Sequence, residues 1–177
     1  MTTELDAREP THSKIDKEYG RSERAFAALC NATEAELRRI FKESAKPDPK
    51  QLAGWAFKGR NVGPIPKAAG IERFVKCFFE LEGSAEVEGC NLWVRPFGAG
   101  RNWELANRPP HGFYVVLTEW QPSWGPSQKN AVMIDYAASL RNHRLNPERL
   151  IDDYLVQPDP DDPHVYLGKA FIGLGGL

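Results

Sequence analysis

Two Asp-Tyr pairs are the groupings in this chain best suited to chemistry. Asp135-Tyr136 closes the run Ala131-Val132-Met133-Ile134, and Asp153-Tyr154 stands near the start of Asp152–Val156. If the two runs are adjacent strands, the four side chains cluster. Carboxylates then lie beside phenols, whose rings suit an apolar pocket and whose hydroxyls hydrogen-bond inside it. With an arginine added, such a cluster is a candidate for acid–base chemistry on a small substrate. The plainer reading puts the acids at strand ends or in pairs with Arg141, Arg144 or Arg149, and leaves the tyrosines to pack. Lys58, Arg73 and Lys76 fall in runs dominated by Trp55, Phe57, Phe74, Phe78 and Phe79. A cation turned into an apolar interior must be paired or solvated. Each of these either faces outward or grips a ligand carboxylate or phosphate.

Other chemistries find little support. His12, His111, His143 and His164 show no metal-binding spacing, and His111 and His164 follow prolines as turn residues do. A triad would need a nucleophile, and the chain has no Gly-x-Ser-x-Gly elbow. Gly173, Gly175 and Gly176 follow a strand and precede no helix, so they form no phosphate loop. No catalytic residue, metal or cofactor is therefore assigned. With 23 basic and 24 acidic residues the net charge is −1, which argues against nucleic acid as a partner. The three cysteines, Cys30, Cys77 and Cys90, make no disulfide framework. No signal-type run and no stretch of about 18 apolar residues occurs, so the expectation is a cytoplasmic protein without a membrane span.

The elements that must position these groups follow from hydrophobic period and punctuation. Residues 1–20 are polar and lack periodicity, which predicts a loosely attached arm. A single domain over 21–177 is expected, beginning with a helical segment over 21–46. There Ser22 is placed to cap a helix carrying Phe26, Leu29 and Cys30. Thr33-Glu34-Ala35-Glu36 fits a capping box before Leu37, Ile40 and Phe41, and Lys46-Pro47-Asp48-Pro49 ends the helix. From residue 50 onward, short runs rich in Val, Ile, Phe, Tyr and Trp alternate with Gly, Pro, Asn and Asp. They predict strands near 52–60, 71–82, 87–96, 112–121, 130–137, 150–157 and 164–173, and a weaker one near 101–107. With no helices between them, parallel crossovers are unexpected. The expected fold is mainly β: a seven- to eight-stranded antiparallel barrel with the helical segment packed on it. A β-sandwich is the alternative. Closure is preferred because it removes exposed edges. Gly83-Ser84 suits a two-residue hairpin turn, which would set Cys77 opposite Cys90. Two such thiols read first as small core residues and second as a redox pair. The aromatic loops near 95–102 and 121–127 are placed to rim a pocket.

The segment Leu52-Ala53-Gly54-Trp55-Ala56-Phe57-Lys58-Gly59 resembles the opening strand of lipocalin-like (calycin) barrels. In that group a Gly-x-Trp motif follows a helical turn; here the glycine and tryptophan are adjacent. The resemblance implies that Trp55 closes the barrel floor beneath a basic residue from a late strand, Lys169 or Arg149. It also implies an interior pocket. The leading expectation is thus a non-enzymatic protein that binds a small apolar or amphipathic molecule. Trp55, Phe74, Phe113, Tyr136 and Tyr154 would line the pocket, Asp135 would belong to it, and Arg73 or Lys169 would be the polar anchor. The alternatives are an enzyme using the Asp/Tyr/Arg cluster, and an interaction or assembly module whose N-terminal arm makes the contact.

Overall fold

The capping box and the prolines divide the N-terminal third into helices. In the computed structural model, residues 12–62, 72–80, 86–95, 103–120 and 128–172 are described, with side chains from residue 20 onward. Helix α1 runs His12–Asn31, α2 Glu34–Glu43 and α3 Pro49–Leu52. Thr33 caps α2: its hydroxyl accepts from the Glu36 N–H, and the Glu36 carboxylate accepts from the Thr33 N–H at 2.7 Å. Asp48 caps α3, with Pro49 in its first turn. Helix α1 starts earlier than the polar N-terminus suggested. Residues 12–20 contain no proline, and helix-favouring Lys and Glu offset the lack of an apolar face. Ser22 is consequently inside α1, where its hydroxyl donates to the Asp162 carboxylate at 2.9 Å.

Seven strands follow: β1 Ala56–Arg60, β2 Arg73–Glu80, β3 Val87–Trp93, β4 His111–Leu117, β5 Val132–Asp135, β6 Ile151–Val156 and β7 Leu167–Ile172. They form one antiparallel sheet in chain order, each strand pairing with the next. The register between β2 and β3 sets Glu80 against Val87 and Cys77 against Cys90, as a two-residue turn requires. The turn itself, like the loop segments 96–102 and 121–127, lies outside the described residues. The weak strand candidate near 101–107 supplies only an isolated bridge, Val94 to Leu105.

The sheet curls into a half-barrel. The Lys76 ammonium on β2 is 3.1 Å from the Asp153 carboxylate on β6. Strands that far apart in a flat sheet would be separated by roughly 19 Å at ~4.8 Å per strand. Likewise Phe57 of β1 packs edge-on against Tyr166, just before β7, with ring centroids 5.2 Å apart. The expected closure differs in one respect. Among the described residues β1 and β7 do not pair. Helix α1 spans the gap instead, with Glu23 bonded to Lys58 of β1 and Arg21 and Ser22 bonded to Asp159 and Asp162 in the β6–β7 connection. Covering an open edge with a helix manages the same hazard that closure would remove.

Alternation sorts the side chains into two apolar clusters. Phe78, Val87, Tyr114, Val116, Val132, Ile134, Tyr136 and Leu155 fill part of the inner face. Met133, Tyr154 and Val156 lie on the outer face, where Phe41 of α2 covers them. Asn130 ties α2 down by donating to the carbonyls of Phe41 and Ser44.

Candidate functional site

Where the half-barrel gapes, an open cavity of ≈ 380 Å³ lies between the inner face and α1. Phe26, Leu29 and Cys30 face it from α1, Phe57 and Phe74 from β1 and β2, Leu155 and Ala170 from β6 and β7, and Val165 from the connection between them. Small residues keep it open: Gly168 and Ala170 stand where larger side chains of β7 would project inward. Its polar lining on the sheet side includes the Lys76–Asp153 pair, with Lys58, Arg60 and Asn61 at the β1 side and His164 before β7.

Lys76 is the buried cation among the described residues, 7% exposed. Its ammonium donates to the Tyr136 hydroxyl at 2.7 Å and to Asp153 Oδ2 at 3.1 Å, and lies 4.7 Å from the centre of the Tyr114 ring. Burial works against its charge, but Tyr136 and Asp153 outweigh that and hold its pKa above the ordinary lysine value. Burial chiefly pushes the Tyr136 phenol upward, so it stays protonated, with Asn91 Nδ2 within 3.4 Å of its oxygen. The arrangement offers a ligand one fixed donor and one fixed acceptor at the edge of a mostly apolar space.

A second polar group stands beside Asn91. His111 Nδ1 and Glu148 Oε1 are 2.8 Å apart, and the His111 ring stacks on Trp93 at 3.9 Å. Burial pushes the Glu148 carboxyl upward, but the bonds from His111 and Asn146 prevail and its pKa lies below the usual value. A depressed carboxyl adds stability above the unfolded pKa of ~4.3, and that stability is lost as pH falls through the folded value. We expect the melting temperature to drop with acidification below about pH 4.5, and the drop to be shallower in His111→Phe, which keeps the stack on Trp93. Identical acid profiles for the two proteins would disprove the coupling.

The structure separates the residues that sequence patterns group together. Strands β5 and β6 are adjacent, with Ile134 paired to Asp153 and Asp135 to Asp152. Alternation nevertheless splits the Asp-Tyr pairs: Tyr136 and Asp153 turn inward, while Asp135 and Tyr154 do not. Asp135 caps its own turn, accepting from the Ala137 and Ala138 N–H groups. Tyr154 packs on the outer face against Trp120 and Phe171. Phe113 lies beneath the Arg141 guanidinium at 3.8 Å. Arg73 lies over the Trp103 ring, and Lys169 over Phe41 and Phe171. Trp55 follows the helical turn α3 but is 52% exposed and packs edge-on against His164, not beneath Lys169 or Arg149. Of the residues expected to line a pocket, Phe74 faces this cavity, and Tyr136 reaches it through Lys76. Asn91 and Glu148 carry no sequence signal of a role, because their partners are distant in the chain.

Cys77 and Cys90 are free thiols on paired strands. Burial is the main influence raising both, so little thiolate forms and the core reading is favoured over redox chemistry. Among the described residues, no group of three or more His, Cys, Asp and Glu side chains is placed to hold a metal ion. Compared with protein-family models, with curated proteins and with solved structures, the chain matches none.

Proposed function

We propose that the protein binds a small amphipathic molecule in the gap of the half-barrel, its apolar part against Phe57, Phe74 and Leu155 and its polar head at the Lys76–Asp153 pair. One observation carries this reading: a hydrogen-bonded ion pair is held at the margin of a mostly apolar space left open between the sheet and α1. A volume of ≈ 380 Å³ is near the lower end of the ~300–1,000 Å³ usual for small-molecule sites, which suits a single-chain ligand. The head group must both accept from an ammonium and donate to a carboxylate, or do one of these, as carboxylic acids and alcohols do.

The test uses the fluorescent fatty acid cis-parinaric acid as probe, displaced by unlabelled acids and alcohols of matched chain length. Saturable binding is expected. Gly168→Leu should weaken it by at least roughly tenfold, since each ~1.4 kcal/mol is a factor of ten. The new Cβ at residue 168 would lie at ordinary contact distance, 3.6 Å from Asp153 Oδ1, so the fold accepts it while the side chain fills the cavity. Non-saturable probe uptake, or undiminished binding by a well-folded Gly168→Leu protein, would refute the proposal.

A further inference from the structure

One end of the half-barrel differs from the other. Because the sheet is a meander, the ends of β1, β3, β5 and β7 and the starts of β2, β4 and β6 share one rim. Six exposed large apolar residues gather there: Val62 after β1, Leu105 bridged to the end of β3, Leu140, Leu145 and Leu150 between β5 and β6, and Ile172 at the end of β7. Leu140 is 97% exposed, Leu145 85% and Ile172 70%. The remaining exposed large apolar residue among those described, Trp55, is at the other end.

The β5–β6 connection on this rim is basic. Residues 137–150 contain Arg141, His143, Arg144 and Arg149 against a single acid, Glu148, which is engaged with His111. The opposite end is acidic, with Asp159, Asp161 and Asp162 in the β6–β7 connection. The loop bearing the leucines is held in shape. Asn142 is buried, accepts from the Phe113 N–H and donates to the Tyr136 carbonyl, and the Arg141 guanidinium lies over the Phe113 ring. The leucines are therefore presented by a fixed scaffold.

We infer that this rim docks on the surface of a bilayer rich in anionic phospholipid, with the leucines among the acyl chains and the arginines at the phosphates. Two arguments select this occupant. A second copy of the chain, docked through the same rim, would bring two arginine-rich connections together. The mixture of protruding apolar side chains with flanking basic ones matches a surface that is anionic outside and apolar beneath. Among the described residues no helix is long and apolar enough to cross a membrane, so the attachment proposed is peripheral.

The experiment is co-sedimentation of the full chain with phosphatidylcholine vesicles, with and without phosphatidylserine, at low and high salt. Binding is expected only with phosphatidylserine, and weaker at high salt. Leu140→Ser/Leu145→Ser should lower it about tenfold through lost apolar burial. Arg144→Glu should lower it roughly thirtyfold, since reversal both removes one attraction to the anionic surface and adds one repulsion. Lys129→Glu, at the opposite end, should leave it unchanged. Circular dichroism and melting curves establish that each variant is folded. Failure to bind phosphatidylserine vesicles, equal binding to both vesicle types, or binding indifferent to the leucines would overturn the inference. So would salt-sensitive binding to soluble polyglutamate in place of vesicles, which would assign the rim to an acidic protein partner.

Discussion

Asp153→Leu is expected to destabilise the protein by about 3–5 kcal/mol, the usual cost of removing one partner from a buried ion pair. For a chain of this size that is a fall in melting temperature of roughly 6–20 °C. The ammonium of Lys76 would remain buried with only the Tyr136 hydroxyl as acceptor. The penalty should also acquire a pH dependence absent from the wild type. In the wild type the Lys76 pKa is raised, so its contribution is fully present below the unfolded lysine value of ~10.4 and is lost as pH rises from there through the still higher folded value. In Asp153→Leu, burial prevails and the folded pKa drops below the unfolded one. The unfolded state then binds more protons, and stability rises with pH between neutral and about pH 9. Lys76→Met/Asp153→Leu removes both charges and should recover most of the loss, because an apolar pair of similar volume is often neutral or better in such a place. Urea unfolding of the single and double variants across pH measures all of this. A double variant no more stable than Asp153→Leu would show that the pair is not energetically coupled. The same double variant tests the binding site: it should still take up apolar probes but should lose its preference for those with a polar head.

What the sequence discloses of this arrangement follows its locality. The capping box at Thr33 and Glu36 and the proline stop at residues 47–49 are written in neighbouring residues, and the structure has both. Strand positions follow from composition and punctuation over a few residues each, and all seven main strands are present. The Cys77–Cys90 register is a consequence of one turn length. The extent of curl is different in kind. It depends on β2 meeting β6, and no local pattern reports that contact. A closed barrel and a half-barrel sealed by α1 have the same strand sequence, and the outcome rests on Glu23, Ser22 and Arg21 finding partners in β1 and in the β6–β7 connection. The site suffers from the same limit. Phe74 is legible as a pocket residue because it lies in an aromatic strand. The adjacency of β5 and β6 is also legible. Which member of each Asp-Tyr pair turns inward depends on the phase of the alternation, and that phase joins Asp153 with Tyr136 rather than with Tyr154. Trp55 follows a helical turn as the lipocalin-like resemblance implies, yet Gly54, at φ +82°, and the short α3 leave it at the rim beside His164.

Gly89→Ala should be the other severe substitution, costing about 3 kcal/mol or more although it adds one methyl group. Gly89 lies mid-strand in β3, paired to Phe78 on one side and Tyr114 on the other. A Cβ there would fall 2.2 Å from Cε2 of Tyr114 and 2.3 Å from the Cys77 carbonyl oxygen. Neither neighbour can give way. Tyr114 is fully buried, and its hydroxyl donates to that same Cys77 carbonyl at 2.8 Å. The carbonyl belongs to the β2–β3 ladder. Moving the ring would break a buried hydrogen bond and its edge-on packing with Phe78 and Tyr136. The pairing of a strand glycine with an aromatic ring recurs at Gly59, whose Cα partner is Phe74. There the ring lies over the glycine, with a Cβ placed 2.2 Å from Cε2 of Phe74. The two sites differ in what surrounds the ring. Phe74 borders the cavity and has space to swing into, so Gly59→Ala should cost less stability and more probe affinity than Gly89→Ala. Tyr114→Leu placed on Gly89→Ala should restore only part of the stability, because the contact with the Cys77 oxygen persists. Thermal and urea unfolding of these three proteins, with parinarate titration of the two single variants, separates the effects. A Gly89→Ala protein within about 0.5 kcal/mol of wild type would mean that β3 can move off β2 freely, and the inner face would then be a softer frame for the cavity than its contacts imply.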